Sequence, residues 1–144
     1  MARLWTAANT DDLRGGRTTP YAPADFHSAA KAAQVLVARE GAALAGVVVF
    51  FVGGSRDGMV ASAGEAELSR LAVAVSFRRL GIGRNLVERC LELARSQGSS
   101  ALVLWSQPHQ VEAHQLYSSL GFRRAPDRDL VAATGPRLVF SRRP

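Results

Sequence analysis

Residues 77–84 read Phe77-Arg78-Arg79-Leu80-Gly81-Ile82-Gly83-Arg84, and they follow a strand-like apolar run from Glu67 to Val75. An amphipathic pattern typical of a helix begins near the second glycine. Glycines let the backbone turn with its N–H groups pointing inward, and the first turn of a helix leaves N–H donors unpaired at the positive end of its dipole. Three arginines add permanent positive charge. The stretch therefore predicts a loop that binds an anion, typically a phosphate or pyrophosphate.

Two common phosphate-binding loops are excluded by their spacing. A dinucleotide-binding turn needs Gly or Ala three residues after its second glycine, where this chain has Leu86. A nucleoside-triphosphate loop needs a Gly-Lys pair, and the only lysine, Lys31, does not follow a glycine. The pattern that remains is Arg78-x-x-Gly81-x-Gly83 after a strand.

This pattern resembles the pyrophosphate loop of the GCN5-related N-acetyltransferase (GNAT) family. Two other segments resemble the family in the expected order. Upstream, residues 67–73 (ELSRLAV) are similar to its central strand, and downstream, residues 113–122 (AHQLYSSLGF) are similar to its A-x-x-L-Y-x-x-L-G-F signature. The resemblance extends from Gln34 to Phe140.

The resemblance implies one acetyltransferase-like domain over residues 1–144, of the α/β class, with a mixed central sheet of about six to seven strands flanked by helices. Sequence patterns favour a hairpin around Glu40-Gly41, helices at 83–97 and 111–120, closing strands at 122–124 and 136–141, and a parallel pair formed by 67–75 and 101–106. In the N-terminal third we expect a strand at 3–8, a short helix stopped by Gly15-Gly16 and a helix at 24–33. The N-terminal helical region is thus shorter than is usual in the family.

The resemblance also implies acetyl-coenzyme A as co-substrate and a primary amine, in a small molecule or peptide, as acetyl acceptor. Backbone groups of the central strand would hold the pantetheine arm, the glycine loop would hold the pyrophosphate, and Gln110, where the family often has Asn, would contact the arm. The residues assigned to coenzyme binding are Leu71, Ala72, Val73, Arg78, Arg79, Leu80, Gly81, Ile82, Gly83, Arg84 and Gln110.

Two residues are candidates for catalysis. Tyr117 matches the family tyrosine that protonates the leaving sulfur, although an aromatic at helical spacing is also typical of a core position. Glu67 is the candidate base, directly or through water, and strand alternation predicts that it shares a face with Leu71 and Val73. The alternative for Glu67 is a solvent-facing carboxylate or a partner of Arg70. His109 and His114 are further candidates for a base, and no metal-ligand spacing is present, so we expect no metal.

Composition narrows the alternatives. The net charge of +6 is carried by scattered arginines with no long basic run, which argues against a nucleic-acid-binding domain. A coenzyme-binding module without catalysis is the first alternative, because the N-terminal region is short. The single cysteine, Cys90, lies on the apolar face of the predicted helix, and neither a signal peptide nor a membrane span is evident, so we expect a cytoplasmic protein. We also expect a homodimer, in which a second copy covers the surface left by the shortened helix.

Overall fold

The computed structural model describes residues 34–53 and 60–144. The strand expected at 3–8, the helix stopped by Gly15-Gly16 and the helix expected at 24–33 lie outside the described residues. So does most of the loop expected before the central strand.

Seven strands and two helices are present within the described ranges. In chain order they are β1 (Gln34–Glu40), β2 (Ala43–Val52), β3 (Ala66–Val73), α1 (Ile82–Ser96), β4 (Leu102–Ser106), α2 (Val111–Ser119), β5 (Arg123–Arg124), β6 (Leu130–Ala132) and β7 (Gly135–Arg142). The strands form one mixed sheet in the order β1-β2-β3-β4-β7-β5, with β6 paired to β7. The α/β class, the mixed sheet, the hairpin and both helices are therefore confirmed.

The structure differs from the sequence prediction at two of the strands. The central strand ends at Val73, and Val75–Phe77 forms a 3-10 turn rather than a continuation of the strand. Strand β6 was not predicted; it is three residues long and pairs with β7 across a tight turn. Short edge strands of this kind carry too few residues for a periodic signal.

The parallel pair β3–β4 was predicted, and it opens soon after it begins. Its ladder consists of two residue pairs, Ala66 with Leu102 and Glu67 with Val103. Beyond these pairs β3 remains paired with β2 as far as Val73 but diverges from β4. The backbone groups on the β4 side of this later part of β3 therefore face an opening between the two strands. We call this opening the β3–β4 gap. It gives an extended ligand access to strand backbone in the middle of the sheet.

A bulge in β3 reverses the alternation of its side chains. Val47 pairs with Ala72 and Val49 pairs with Ser69, so two residues of β3, Arg70 and Leu71, stand opposite one residue of β2. Arg70 has φ 53°, a left-handed conformation that is uncommon for a residue with a Cβ. The alternation of side chains in β3 is therefore offset by one residue after the bulge, so that residues before and after it share a sheet face at odd rather than even spacing.

The two faces of the sheet carry separate clusters of buried residues. The helix face packs against α1 and α2; Ala66 and Leu68 belong to its core, and Leu71 and Val73 pack against it. The second face has its own cluster of Val47, Val49, Phe51 and Ala72. Glu67 lies between Ala66 and Leu68 and pairs across the sheet with Phe51, which places it on the second face. The prediction that Glu67 shares a face with Leu71 and Val73 is wrong, because the bulge separates them.

Helix α1 closes the helix face and fixes the C-terminal end of the glycine loop. Its buried side chains are Ile82, Leu86, Val87, Cys90, Leu91 and Ala94. The helix approaches β2 closely at Gly46, where an added Cβ would lie 2.9 Å from Ile82 Cγ2 and 3.0 Å from Leu86 Cδ1. Cys90 is fully buried, and burial raises the pKa of its thiol to about 12, in keeping with the packing role expected of it. No helix within the described ranges is long and apolar enough to cross a membrane.

Candidate active site

The N-terminus of α1 meets the requirements for an anion site. Gly81 is the N-cap residue, with φ 81° and ψ 5°, and the carbonyl of Gly81 accepts the first intrahelical bond from the Asn85 N–H at 3.0 Å. Within the described part of the chain, no side chain caps this end, and the first turn has no acidic residue. The first N–H groups of α1 therefore meet no competing carboxylate or hydroxyl, as a site for phosphate oxygens requires.

Three arginines surround this helix end and two of them reach across to α2. Arg78 Nε donates to the Val73 carbonyl at 3.4 Å, which ties the loop to the end of β3. Arg79 pairs with Glu112 at 3.3 Å, and Arg84 Nη2 donates to the Ser119 hydroxyl at 2.8 Å. The Arg79–Glu112 pair is exposed, and exposed pairs contribute little to stability. An arriving anion can therefore recruit this arginine at small cost.

The loop opens on a cavity of about 480 Å³ between the end of β3, the start of α1 and one side of α2. Eight of the eleven residues assigned to coenzyme binding line it: Leu71, Val73, Arg78, Arg79, Gly81, Ile82, Gly83 and Arg84. Sequence reasoning did not assign the other lining residues, which are Phe77, Glu112, Ala113, Gln115, Leu116 and Ser119. Most of these lie in or beside the Ala113–Phe122 motif, so the motif was the signal that this side of α2 faces the cavity.

Three of the residues assigned to coenzyme binding do not line the cavity. Ala72 is buried on the second face of the sheet, and Leu80 is exposed at the tip of the loop. Gln110 lies at the start of α2, where its side-chain oxygen accepts from the Ser106 hydroxyl and the Gln107 N–H, each at 2.8 Å. Its NH₂ group is the end that can face a ligand.

His114 belongs to the same polar cluster. Its Nε2 lies 3.1 Å from the Ser106 oxygen, and because the Ser106 hydroxyl already donates to Gln110, that oxygen accepts from the His114 N–H. Burial lowers the pKa of His114 below its ordinary value of 6.5, and a backbone hydrogen bond at Gln107 opposes this in part. A neutral His114 thus holds Ser106 in place at neutral pH, and Ser106 has no proton directed at a base.

Tyr117 is buried in the helix-side core next to a cavity-lining residue, Leu116. Its ring packs against Phe122 and Phe140, each with a centroid distance of 5.9 Å. Burial, with a smaller contribution from Cys90, raises the pKa of the phenol above its ordinary value of 10.0. The hydroxyl therefore keeps its proton at neutral pH, as a proton donor must.

Glu67 is 1% exposed and its carboxylate holds a neighbouring backbone segment. Oε2 accepts the N–H groups of Val60 and Ala61 at 2.9 and 3.1 Å. The carboxylate is thus neither solvent-facing nor on the side of the cavity. Within the described ranges, no group of three His, Cys, Asp or Glu side chains could hold a metal ion.

Comparison with known sequences gives one family and several partial relatives. The acetyltransferase (GNAT) family model matches residues 3–122. N-acetylaspartate synthetase from Rattus norvegicus is 40% identical over 77 residues, which is 54% of this chain and 26% of that protein. N-acetyltransferase family 8 member 3 from the same species is 40% identical over 60 residues, 42% of this chain and 26% of the relative. The chain thus spans about a quarter of the length of these curated relatives.

Solved structures agree on the fold. The PaiA N-acetyltransferase from Thermoplasma acidophilum, in complex with coenzyme A, superposes with a TM-score of 0.75 at 13% identity, covering 99% of this chain and 90% of that one. A ribosomal-protein-alanine N-acetyltransferase from Brucella melitensis has a TM-score of 0.70 at 19% identity, covering 99% and 94%. At these identities the similarity establishes the fold.

Proposed function

This chain belongs to the GNAT family of acetyltransferases, and we propose that it transfers an acetyl group from acetyl-coenzyme A to a primary amine. The observation that carries the proposal is the uncapped N-terminus of α1, which is surrounded by three arginines and opens on the cavity. A pyrophosphate needs such a combination of N–H donors and guanidinium groups.

The coenzyme would be held by backbone as much as by side chains. N–H groups of the loop from Arg78 to Arg84 would bind the pyrophosphate, with Leu80 and Ala72 contributing backbone. The backbone of Leu71 and Val73 would pair with pantetheine in the β3–β4 gap, because there β3 has parted from β4. The NH₂ group of Gln110 would reach the arm from the opposite wall.

Acetyl-coenzyme A supplies an acetyl group activated as a thioester. In the proposed reaction the amine nitrogen attacks the acetyl carbon within a ternary complex, the C–N bond forms and the C–S bond breaks. Tyr117 would give its proton to the departing sulfur, and Glu67, directly or through water, would take the proton that the amine loses. Glu67 lies on the sheet face away from the cavity, so the amine would approach the thioester from that face.

Two measurements test this function. Calorimetric titration with acetyl-coenzyme A should show one site per chain, and thiol release in the presence of an amine panel should exceed release without amine. Binding without amine-dependent release would identify a coenzyme-binding module that lacks catalysis. Absence of binding would reject the assignment of the loop.

The acceptor, the assembly and the location are narrower proposals. The acceptor is a small molecule or a peptide amine, the chain forms a homodimer, and the protein is cytoplasmic. Sedimentation at micromolar concentration tests the assembly, since a stable monomer of about 15 kDa would exclude the dimer. Cell fractionation tests the location.

A further inference from the structure

The second face of the sheet carries a buried arginine whose contacts are all uncharged. Arg137, on β7, is 5% exposed. Its Nη1 donates to the carbonyls of Gly135 and Pro136 at 3.2 and 3.3 Å, and its Nη2 donates to the Thr134 hydroxyl. Its Nε is buried and has no hydrogen-bond partner. The guanidinium also stacks on the Trp105 ring, 4.4 Å from its centroid, so that Trp105 covers one of its two faces.

Two other arginines, Arg124 and Arg128, have carboxylate partners within the chain. Arg124 makes a two-pronged contact with Asp129 at 2.8 and 2.7 Å, and Arg128 makes one with Glu65 at 3.0 and 2.8 Å. Both are less buried than Arg137, with side chains 33% and 27% exposed.

Arg137 differs from both in its contacts within the described residues. Residues 34–53 and 60–144 supply no carboxylate to it. Burying a charge without a counter-ion is energetically costly. The cost is recovered when a ligand brings the missing negative charge.

The position of Arg137 relates the buried guanidinium to the proposed acetyl transfer. Leu104 and Leu138 belong to or pack against the helix-side core, so their chain neighbours Trp105 and Arg137 lie on the second face. Glu67 lies on that face too, beside Val103 of β4, two residues before Trp105. The candidate base and the buried guanidinium therefore flank β4 on the side opposite the cavity, at the strand that borders the β3–β4 gap.

We propose that Arg137, held flat by Trp105, binds a carboxylate of the acetyl acceptor, so that the acceptor is a small amine that also bears a carboxylate, as an amino acid does. This inference rests on the proposed acetyl transfer. A guanidinium suits the task because its planar set of donors matches two carboxylate oxygens. Its free Nε supplies a donor that no internal group uses.

The test compares amino acids with their carboxamides as acceptors in the presence of saturating acetyl-coenzyme A. The two differ in the carboxylate, and the carboxamide has the larger fraction of neutral amine at pH 7, so any preference for the acid has to come from recognition. We expect wild type to prefer the acid in kcat/KM. In Arg137→Gln the preference should fall by at least about 30-fold, mainly through KM, as when one member of a buried ion pair is removed. Arg123→Gln is the control, since it removes the same charge from an exposed position on β5.

Further measurements separate the possible outcomes. If circular dichroism shows that Arg137→Gln does not fold, Arg137→Lys decides, because it keeps the charge but loses the planar fork and should still lower the preference. A wild-type protein that acetylates carboxamides as well as acids, or a folded Arg137→Gln that keeps the preference, overturns the inference while acetyl transfer stands. If no amine is acetylated, calorimetry with succinate on the coenzyme A-saturated protein tests the site alone. Succinate binding that is lost in Arg137→Gln would support the anion site and reject acetyl transfer, and absence of succinate binding would reject both.

Discussion

Replacing Gly81 with alanine tests the proposed anion-binding role of the loop separately from its role in folding. Gly81 has φ 81°, and an added Cβ would meet no atom within 4 Å, so the cost of the change is conformational. A left-handed conformation costs a residue with a Cβ about 1–2 kcal/mol. Gly98, just beyond the other end of α1, has φ 70° and equally open surroundings. Gly98→Ala is therefore a matched control with the same backbone cost and no anion site beside it.

The two variants should lose similar stability but differ in coenzyme binding. Each should lower the free energy of unfolding by about 1–2 kcal/mol. Only Gly81→Ala alters the turn that aims the first N–H groups of α1 at the cavity. Losing one hydrogen bond to a charged phosphate costs about 1.5–3 kcal/mol, which weakens acetyl-coenzyme A binding by at least about tenfold.

Chemical denaturation with and without acetyl-coenzyme A measures both quantities. At a ligand concentration of 100 times the wild-type Kd, wild type should gain about 2.7 kcal/mol, and a variant that binds tenfold more weakly should gain about 1.4 kcal/mol at the same concentration. Gly98→Ala should gain as much as wild type. Equal gains for the two variants would show that the start of α1 does not hold the pyrophosphate.

Three other changes have defined outcomes. Tyr117→Phe should lower the rate of acetyl transfer about 100-fold in single-turnover experiments and leave the Kd for the coenzyme unchanged, because only the proton donor is lost. An unchanged rate would show that Tyr117 is only a packing residue. Gly46→Ala should lower the free energy of unfolding by about 1–3 kcal/mol in urea titration, because the added methyl would lie 2.9 Å from Ile82 Cγ2, and an unchanged midpoint would show that α1 shifts freely. The hydrogen bond and charge of Arg128 hold the pKa of Glu65 below its ordinary value of 4.5, so the folded state binds fewer protons there than the unfolded state. The contribution of this pair to stability is present above pH 4.5 and is lost as the pH falls below that value. In Arg128→Gln, Tm should therefore depend less on pH in that range.

The sequence predicted the parts of the site that depend on short motifs. The loop from Arg78 to Arg84 contained its own evidence, since glycines, arginines and a helix start were adjacent in the chain. The order of the motifs along the chain then placed the end of β3 and one side of α2 around that loop. Most of the cavity was predictable because neighbours in sequence form its walls.

Features that depend on the register of strands were not predictable. The bulge in β3 has arginine rather than glycine in its left-handed position, so no residue type marked it. Without the bulge, period-two alternation puts Glu67 on the cavity side. Arg137 was not predictable for a similar reason. It lies in a predicted closing strand, and only the fold shows that it is buried over Trp105 with no carboxylate partner among residues 34–53 and 60–144.

In the proposed reaction, the bulge would also give the two faces of the sheet different roles. On the helix side, β3 contributes Leu71 and Val73 to the cavity. On the other side, β3 presents Glu67. The neighbouring strand β4 carries Trp105, and the strand beyond it, β7, carries Arg137. If β3 were a regular strand, Glu67 would lie on the same face as Leu71 and Val73. Its carboxylate would then face the side of the core where the loop from Arg78 to Arg84 lies. In the proposed reaction, one extra residue in β3 would therefore allow an apolar wall for the coenzyme and a polar wall for the amine to be built on the same strand, with the β3–β4 gap joining them.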